Sequence, residues 1–341
     1  MLRRALGVVV VVAVVAGGLA ACSTGGGGGD HLTIYSGRQQ ELISPLLQDF
    51  SEQTGIGIDV RYGDSADLAL LIDEEGDRTP ADVFLSQSPG AVGFLDGKDR
   101  LAELPTNVLD KVDPRFRSPD GRWVGVSGRV RVLVYNTETV NPSDLPQSVF
   151  DLTDPQYRGK VGVAPTNASF QDFVTAMREL AGEDRTVSWL RGMEANGSPT
   201  YANNIAIVDA VGRGEISFGL VNHYYNEEAK AEDPDAPSAN YLFPNGDLGS
   251  LILVTAAAVL DSAGDRKSDA ERFVRFLQTR KAQDFYARET KEYPLTAGVV
   301  PVVQDLPNLS EIQSPSLDLS SLGGQLTRTK ELIEQSGLEQ G

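Results

Sequence analysis

Between Leu32 and Leu85 the sequence changes its apolar period again and again, and that alternation restricts the folds open to it. Leu32-Thr33-Ile34-Tyr35 is a short strand that stops at Ser36-Gly37. From Glu41, the residues Leu42, Ile43, Leu46, Leu47 and Phe50 keep helical spacing until Gly55. Ile56, Ile58 and Val60 alternate as a second strand, and Leu68, Leu70, Leu71 and Ile72 follow as a helix. Ala81-Asp82-Val83-Phe84-Leu85 is an apolar strand ending at Ser86-Gln87-Ser88-Pro89. A β-α-β-α-β order implies a parallel sheet with helices on its faces and ligand-facing loops after the strand ends. Two such loops are Ser36 to Gln40 and Ser86 to Ser88.

A second series starts at Val161-Gly162-Val163-Ala164 and leads through Pro165 into a helix with Phe170, Phe173, Val174, Met177 and Leu180 on one face. Val130 to Tyr135 and Leu251 to Val259 are apolar runs without helical period, read as strands that cross between the two series. The expectation is an α/β clamshell of two lobes joined by two crossing strands, with a ligand cleft between them. The first lobe would comprise residues 31–129 and 256–306, and the second 130–255 and 307–341. No internal repeat, heptad or second membrane span is present.

Met1-Leu2-Arg3-Arg4 and the apolar run Ala5 to Ala16 have the charged start and short hydrophobic stretch of a secretory signal. The run ends in Leu19-Ala20-Ala21-Cys22, the pattern of a bacterial lipobox, and Cys22 is the only cysteine. Residues 1–21 are therefore expected to be removed, Cys22 to be lipidated, and residues 22–30, rich in glycine, to be a flexible tether. The chain has 30 basic and 48 acidic residues, a formal charge of −18 that becomes −20 once Arg3 and Arg4 leave with the signal. That balance argues against nucleic acid as a partner.

Tyr224 and Tyr225 follow the strand-like run Gly214 to Leu220 and precede the helical Glu227-Glu228-Ala229-Lys230. Adjacent phenols at a strand-to-helix switch can pack with their hydroxyls bonded to backbone. They can also ionise against a hard cation such as Fe(III), which selects oxygen ligands and lowers the phenol pKa. A hydrolase lacks parts here: there are two histidines, one cysteine, no G-x-S-x-G and no H-E-x-x-H. Paired acids such as Glu227-Glu228 suit a helix dipole.

Six stretches in order carry a family resemblance: Leu32-Thr33-Ile34-Tyr35-Ser36-Gly37-Arg38, Pro80-Ala81-Asp82-Val83-Phe84, Ser127 to Asn136, Val163-Ala164-Pro165-Thr166, Asn222-His223-Tyr224-Tyr225 and Glu292-Tyr293-Pro294-Leu295. Across essentially the whole mature chain, the sequence resembles the ferric-ion-binding, solute-binding proteins of ATP-driven importers. The resemblance implies a type II periplasmic-binding-protein fold with Tyr224 and Tyr225 as phenolate ligands of Fe(III). It also implies a small anion, carbonate or phosphate, cradled by Asn167, Ala168 and Ser169 at a helix start, with Asn204 and Asn222 as further donors. Arg129 or Arg131 would add a charge-assisted bond to carbonate, because a guanidinium fork matches a planar oxyanion. The partners implied are an ABC permease and its ATPase, served by a monomer that meets the membrane only through its lipid.

Gln39 stands where members with a histidine ligand carry it, Gln87 where the acidic ligand lies, and Asn167 where some members have a further tyrosine. Gln39 and Gln87 are thus neutral candidates to ligate or to hold a water. With two anionic protein ligands, an exogenous anion is expected to complete the site. The alternative is a clamshell for a small anion or organic solute, in which the phenols donate hydrogen bonds without metal. His223 is read as structural and His31 as exposed.

Overall fold

The computed structural model describes residues 31–300 and 306–340. The lipobox, Cys22 and the glycine tether lie outside these residues. β1 (His31–Ser36), β2 (Gly57–Tyr62) and β3 (Val83–Ser86) form the parallel start of the sheet, β1 lying between the other two. α1 (Ser44–Thr54) links β1 to β2 and stops at Gly55, whose φ of 74° suits a residue without Cβ. α2 (Ser65–Glu75) is capped by Asp64, which accepts from Ala66 N at 2.8 Å. α3 (Pro89–Asp96) is capped by Ser88, and the four-residue α4 (Thr106–Leu109) follows.

β4 (Trp123–Asn136) is the spine of the molecule. Its first part, Trp123 to Val130, pairs antiparallel with β8 (Ile252–Val259), and Ser127 and Gly128 also meet β9 (Tyr293–Pro294). From Arg131 onward it pairs with β6 (Phe218–Asn222), and from Leu133 with β7 (Ser238–Tyr241). β5 (Val161–Gly162) adds to β6 in parallel, so the strand path is β2-β1-β3-β8-β4-β6-β5. β3 and β8 run antiparallel, which makes the first-lobe sheet mixed and not wholly parallel as its opening pattern suggested. The change of partners between Val130 and Arg131 is where one lobe gives way to the other. The chain returns through the stretch between β7 and β8. All of β8, including Ile252 to Thr255, pairs on the first-lobe side.

Each lobe has its own aromatic core. Phe50 of α1 meets Phe273 and Phe276 of α9 (Lys267–Leu277) edge to face at 5.1 and 5.4 Å, next to α10 (Arg280–Arg288). In the second lobe Phe170 and Phe173 of α5 (Ala168–Ala181) pack on Trp189 of α6 (Glu183–Ala195). α7 (Asn204–Gly212) and α8 (His223–Glu232) flank β6. The chain after residue 306 touches both lobes. The turn Leu319–Leu322 lies on α3, and α11 (Leu326–Ser336) lies on α5 and α6. The first of these contacts is backbone on backbone: a Cβ on Gly93 would meet Ser320 O at 2.4 Å. Among the described residues, no helix is long and apolar enough to cross a membrane.

Candidate functional site

The strand ends and helix starts of the two lobes face each other across a cleft of about 360 Å³, within the usual range for a small-molecule site. Gly37, Gln87 and Ser88 line it from the first lobe. Asn167, Ala168, Ser169, Asn222, Tyr224 and Tyr225 line it from the second, with Arg129 from the spine strand. Tyr224 and Tyr225 occupy the first turn of α8 because β6 ends at Asn222 and the helix begins at His223. Their rings lie 4.2 Å apart at 35°. Tyr224 is 7% exposed and Tyr225 half-buried. Burial holds the Tyr224 phenol well above its ordinary pKa of 10.0, and the Tyr225 phenol above it as well. Neighbouring Arg129 pulls both the other way without overcoming burial. Both phenols are therefore protonated in the free protein at neutral pH.

The start of α5 is a polar network. Asn167 Oδ1 accepts from Ser169 N at 3.1 Å, Ser169 Oγ at 2.6 Å and Asn204 Nδ2 at 3.2 Å. Arg131 lies behind it, donating to Ser169 Oγ, Asn222 Oδ1 and Leu220 O with its guanidinium against the Phe173 ring. Burial, then the like charge of Arg129, lowers the Arg131 pKa to about 9, so the group stays charged at neutral pH. Arg129 instead reaches the cleft and donates to Gln87 O on the loop after β3. The two arginines share a strand face in sequence, yet only Arg129 lines the cleft.

Gln39 is not brought to the cleft. It sits exposed at the start of the turn Gln40–Leu42. Its neighbour Arg38 is drawn inward to a buried ion pair with Glu292 and a bond to Thr255 Oγ1, which fixes that loop against the core. Gln87 does line the cleft, and its backbone N–H is held by Ser65 Oγ at 3.0 Å.

His223 has both ring nitrogens engaged. Nδ1 accepts from Val130 N at 3.3 Å, at the point where β4 changes partners, and Nε2 faces Lys291 O at 3.0 Å. Burial lowers its pKa to about 4. It is a neutral tie between the tyrosine-bearing helix and the lobe junction. His31 is exposed beside Asp59.

Three acids reach the cleft that sequence reasoning passed over. Asp64, which caps α2 after β2, and Asp67 in the first turn of that helix stand at the cleft rim. The rule that placed ligand loops after β1 and β3 applies equally after β2. Asp172, one turn into α5, is 5% exposed. Its Oδ1 accepts from Ser88 Oγ of the opposite lobe at 2.8 Å, and its Oδ2 has no hydrogen-bond partner among the described residues. Burial raises its pKa to about 6 against the pull of Arg129, whose Nη2 is 3.9 Å from Oδ2. Among the described residues, no group of three or more His, Cys, Asp or Glu side chains is placed to hold a metal.

Two α/β lobes that share a spine strand and a polar cleft at their strand ends define the type II periplasmic-binding-protein class. The family model described as bacterial extracellular solute-binding protein matches residues 78–318, and the chain belongs to that family. It is 32% identical over 315 residues to the major ferric iron-binding protein of Neisseria meningitidis, covering 90% of this chain and 93% of that one. Iron-bound HitA from Pseudomonas aeruginosa superposes with a TM-score of 0.83 at 32% identity, over 90% of this chain and 99% of that one. The Trichodesmium protein IdiA (FutA), in complex with iron and citrate ligands, superposes with a TM-score of 0.76 at 25% identity, over 90% and 99%.

Proposed function

We propose that this protein captures Fe(III) together with a small anion, carbonate or phosphate, between its lobes and delivers it to the permease of an ATP-driven importer. It acts by binding, not by catalysis, as a monomer tethered to the outer face of the membrane through lipidated Cys22. Tyr224 and Tyr225 supply two phenolates, and the start of α5, with Asn167, Ala168, Ser169, Asn204 and Asn222, receives the anion. Arg129 faces the anion from the lobe junction, while Arg131 supports the network from behind. Gln87 would hold a coordinated water or ligate through its amide oxygen, and Gln39 would join only if its loop moved. The observation that carries this reading is the closely packed phenol pair, Tyr224 buried and Tyr225 half-buried, lining one cleft with a helix start. The relatives named as ferric-binding support the choice of metal.

Closure follows from differential affinity, since the ion must bind the closed arrangement better than the open one. The test is a titration of iron-free protein with ferric nitrilotriacetate in bicarbonate buffer. A visible tyrosinate-to-iron charge-transfer band is expected, diminished in Tyr224→Phe and in Tyr225→Phe. A colourless protein whose melting temperature rises with an organic anion but ignores iron would instead establish the metal-free alternative.

A further inference from the structure

We propose that Asp172 is a third anionic group of the ferric site, meeting the ion through Oδ2 while Oδ1 holds Ser88 of the opposite lobe. The inference rests on the ferric reading above and adds a residue to it. Oδ2 makes no hydrogen bond, and the Arg129 guanidinium pairs with it only at long range, Nη2 lying 3.9 Å away, so this buried carboxylate oxygen keeps capacity for a further charged or donating group. Asp172 lines the cleft that holds the two tyrosines, and Asp172, Tyr224 and Tyr225 all act on the charge of Arg131.

Charge balance points the same way. Two buried guanidinium groups bear on the cleft before any ion enters, Arg129 lining it at 5% exposure and Arg131 behind its α5 wall at 1%. A trivalent ion beside them gives five positive charges, and two phenolates leave three unmatched. With the Asp172 carboxylate the remainder is two, which a dianion such as carbonate cancels. Burying uncompensated charge is expensive, so a site that closes to neutrality is strongly favoured.

The arrangement also links occupancy to closure. Gln87 offers a neutral amide, Gln39 lies outside the cleft, and the first-lobe acids Asp64 and Asp67 stand at the exposed rim. Asp172 carries the connection instead: one oxygen faces the ion and the other accepts from Ser88, which caps α3 of the first lobe.

The test compares Asp172→Asn and Asp172→Glu with wild-type protein loaded from ferric nitrilotriacetate. Asparagine keeps an oxygen for Ser88 but removes the charge. It is expected to weaken ferric affinity by about a hundredfold, in the range seen when groups that tune a metal site are lost, and to move the charge-transfer band to longer wavelength. Glutamate is expected to restore the band toward its wild-type position. An Asp172→Asn protein with the wild-type band and an affinity within about twofold would overturn the proposal. A variant that fails to fold is bypassed in wild-type protein isotope-labelled at the aspartate carboxyl. Iron loading should then shift an aspartate carboxylate stretch in the infrared difference spectrum, and no aspartate signal would overturn the proposal equally. Failure of the ferric reading itself is distinguishable, because wild-type protein would then show no band at all.

Discussion

Tyr224 and Tyr225 begin as neutral phenols that burial keeps protonated, so a cation that coordinates them must displace their protons. Each displaced proton makes apparent affinity rise about tenfold per pH unit, and falling pH reverses it. Between pH 7 and pH 6 the ferric affinity is expected to drop about ten- to a hundredfold, read by competition with a chelator of known protonation. A pH-independent affinity would contradict phenolate ligation. His223 titrates in the other domain of behaviour, stability. Its folded pKa, near 4, lies below its unfolded value of 6.5. The unfolded chain therefore takes up a proton that the native state refuses, and this contribution is lost as pH falls from about 6.5 to about 4. The loss is about 3 kcal/mol. Asp172 works oppositely in that window, since its raised pKa favours the native state as pH falls toward the unfolded value of 3.8. His223→Gln should be less stable than wild type at pH 7 in urea denaturation, with a deficit that shrinks toward pH 4.5. A deficit that grows instead would show that His223 is charged in the fold.

At the scale of elements, the first loop and the segment before β9 are locked together by Arg38 and Glu292. Burial pushes the Glu292 carboxyl up, but the adjoining guanidinium more than offsets this and leaves it below the ordinary range. Glu292→Gln would strand Arg38 without its counter-charge, and a loss of about 3–5 kcal/mol is expected in denaturant unfolding. A loss below about 1 kcal/mol would mean that Arg38 finds another partner. Both residues belong to short stretches that carried the family resemblance, but their pairing was not legible, because no periodicity links a loop near the start of the chain to one near its end. Individual strands and helices were legible for the opposite reason: Leu42 to Phe50 or Phe170 to Met177 display their buried faces through spacing alone. The antiparallel match of β3 with β8 had no local sign, since strand direction depends on the intervening path. Asp172 was hidden similarly. One acid in an amphipathic helix reads as surface until Ser88 of the other lobe is seen to cover it.

For the molecule as a whole, β4 carries both lobes on one continuous strand, and His223 ties the tyrosine-bearing helix to Val130 where that strand changes partners. The cleft is bridged by Ser88 to Asp172, while Arg129 at the lobe junction donates to Gln87 O on the first-lobe side. The contacts made after residue 306, on α3 and on α5 and α6, add a further connection between the lobes. These bridges make an ion bound among the tyrosines a lever on lobe position, provided the ion sits where they converge. The most direct measurement of that claim is an iron-edge anomalous difference map from crystals of the ferric-loaded protein. One strong peak is expected, bonded to the hydroxyl oxygens of both Tyr224 and Tyr225 and facing the start of α5. A peak elsewhere, or tyrosine oxygens turned away from the metal, would contradict it.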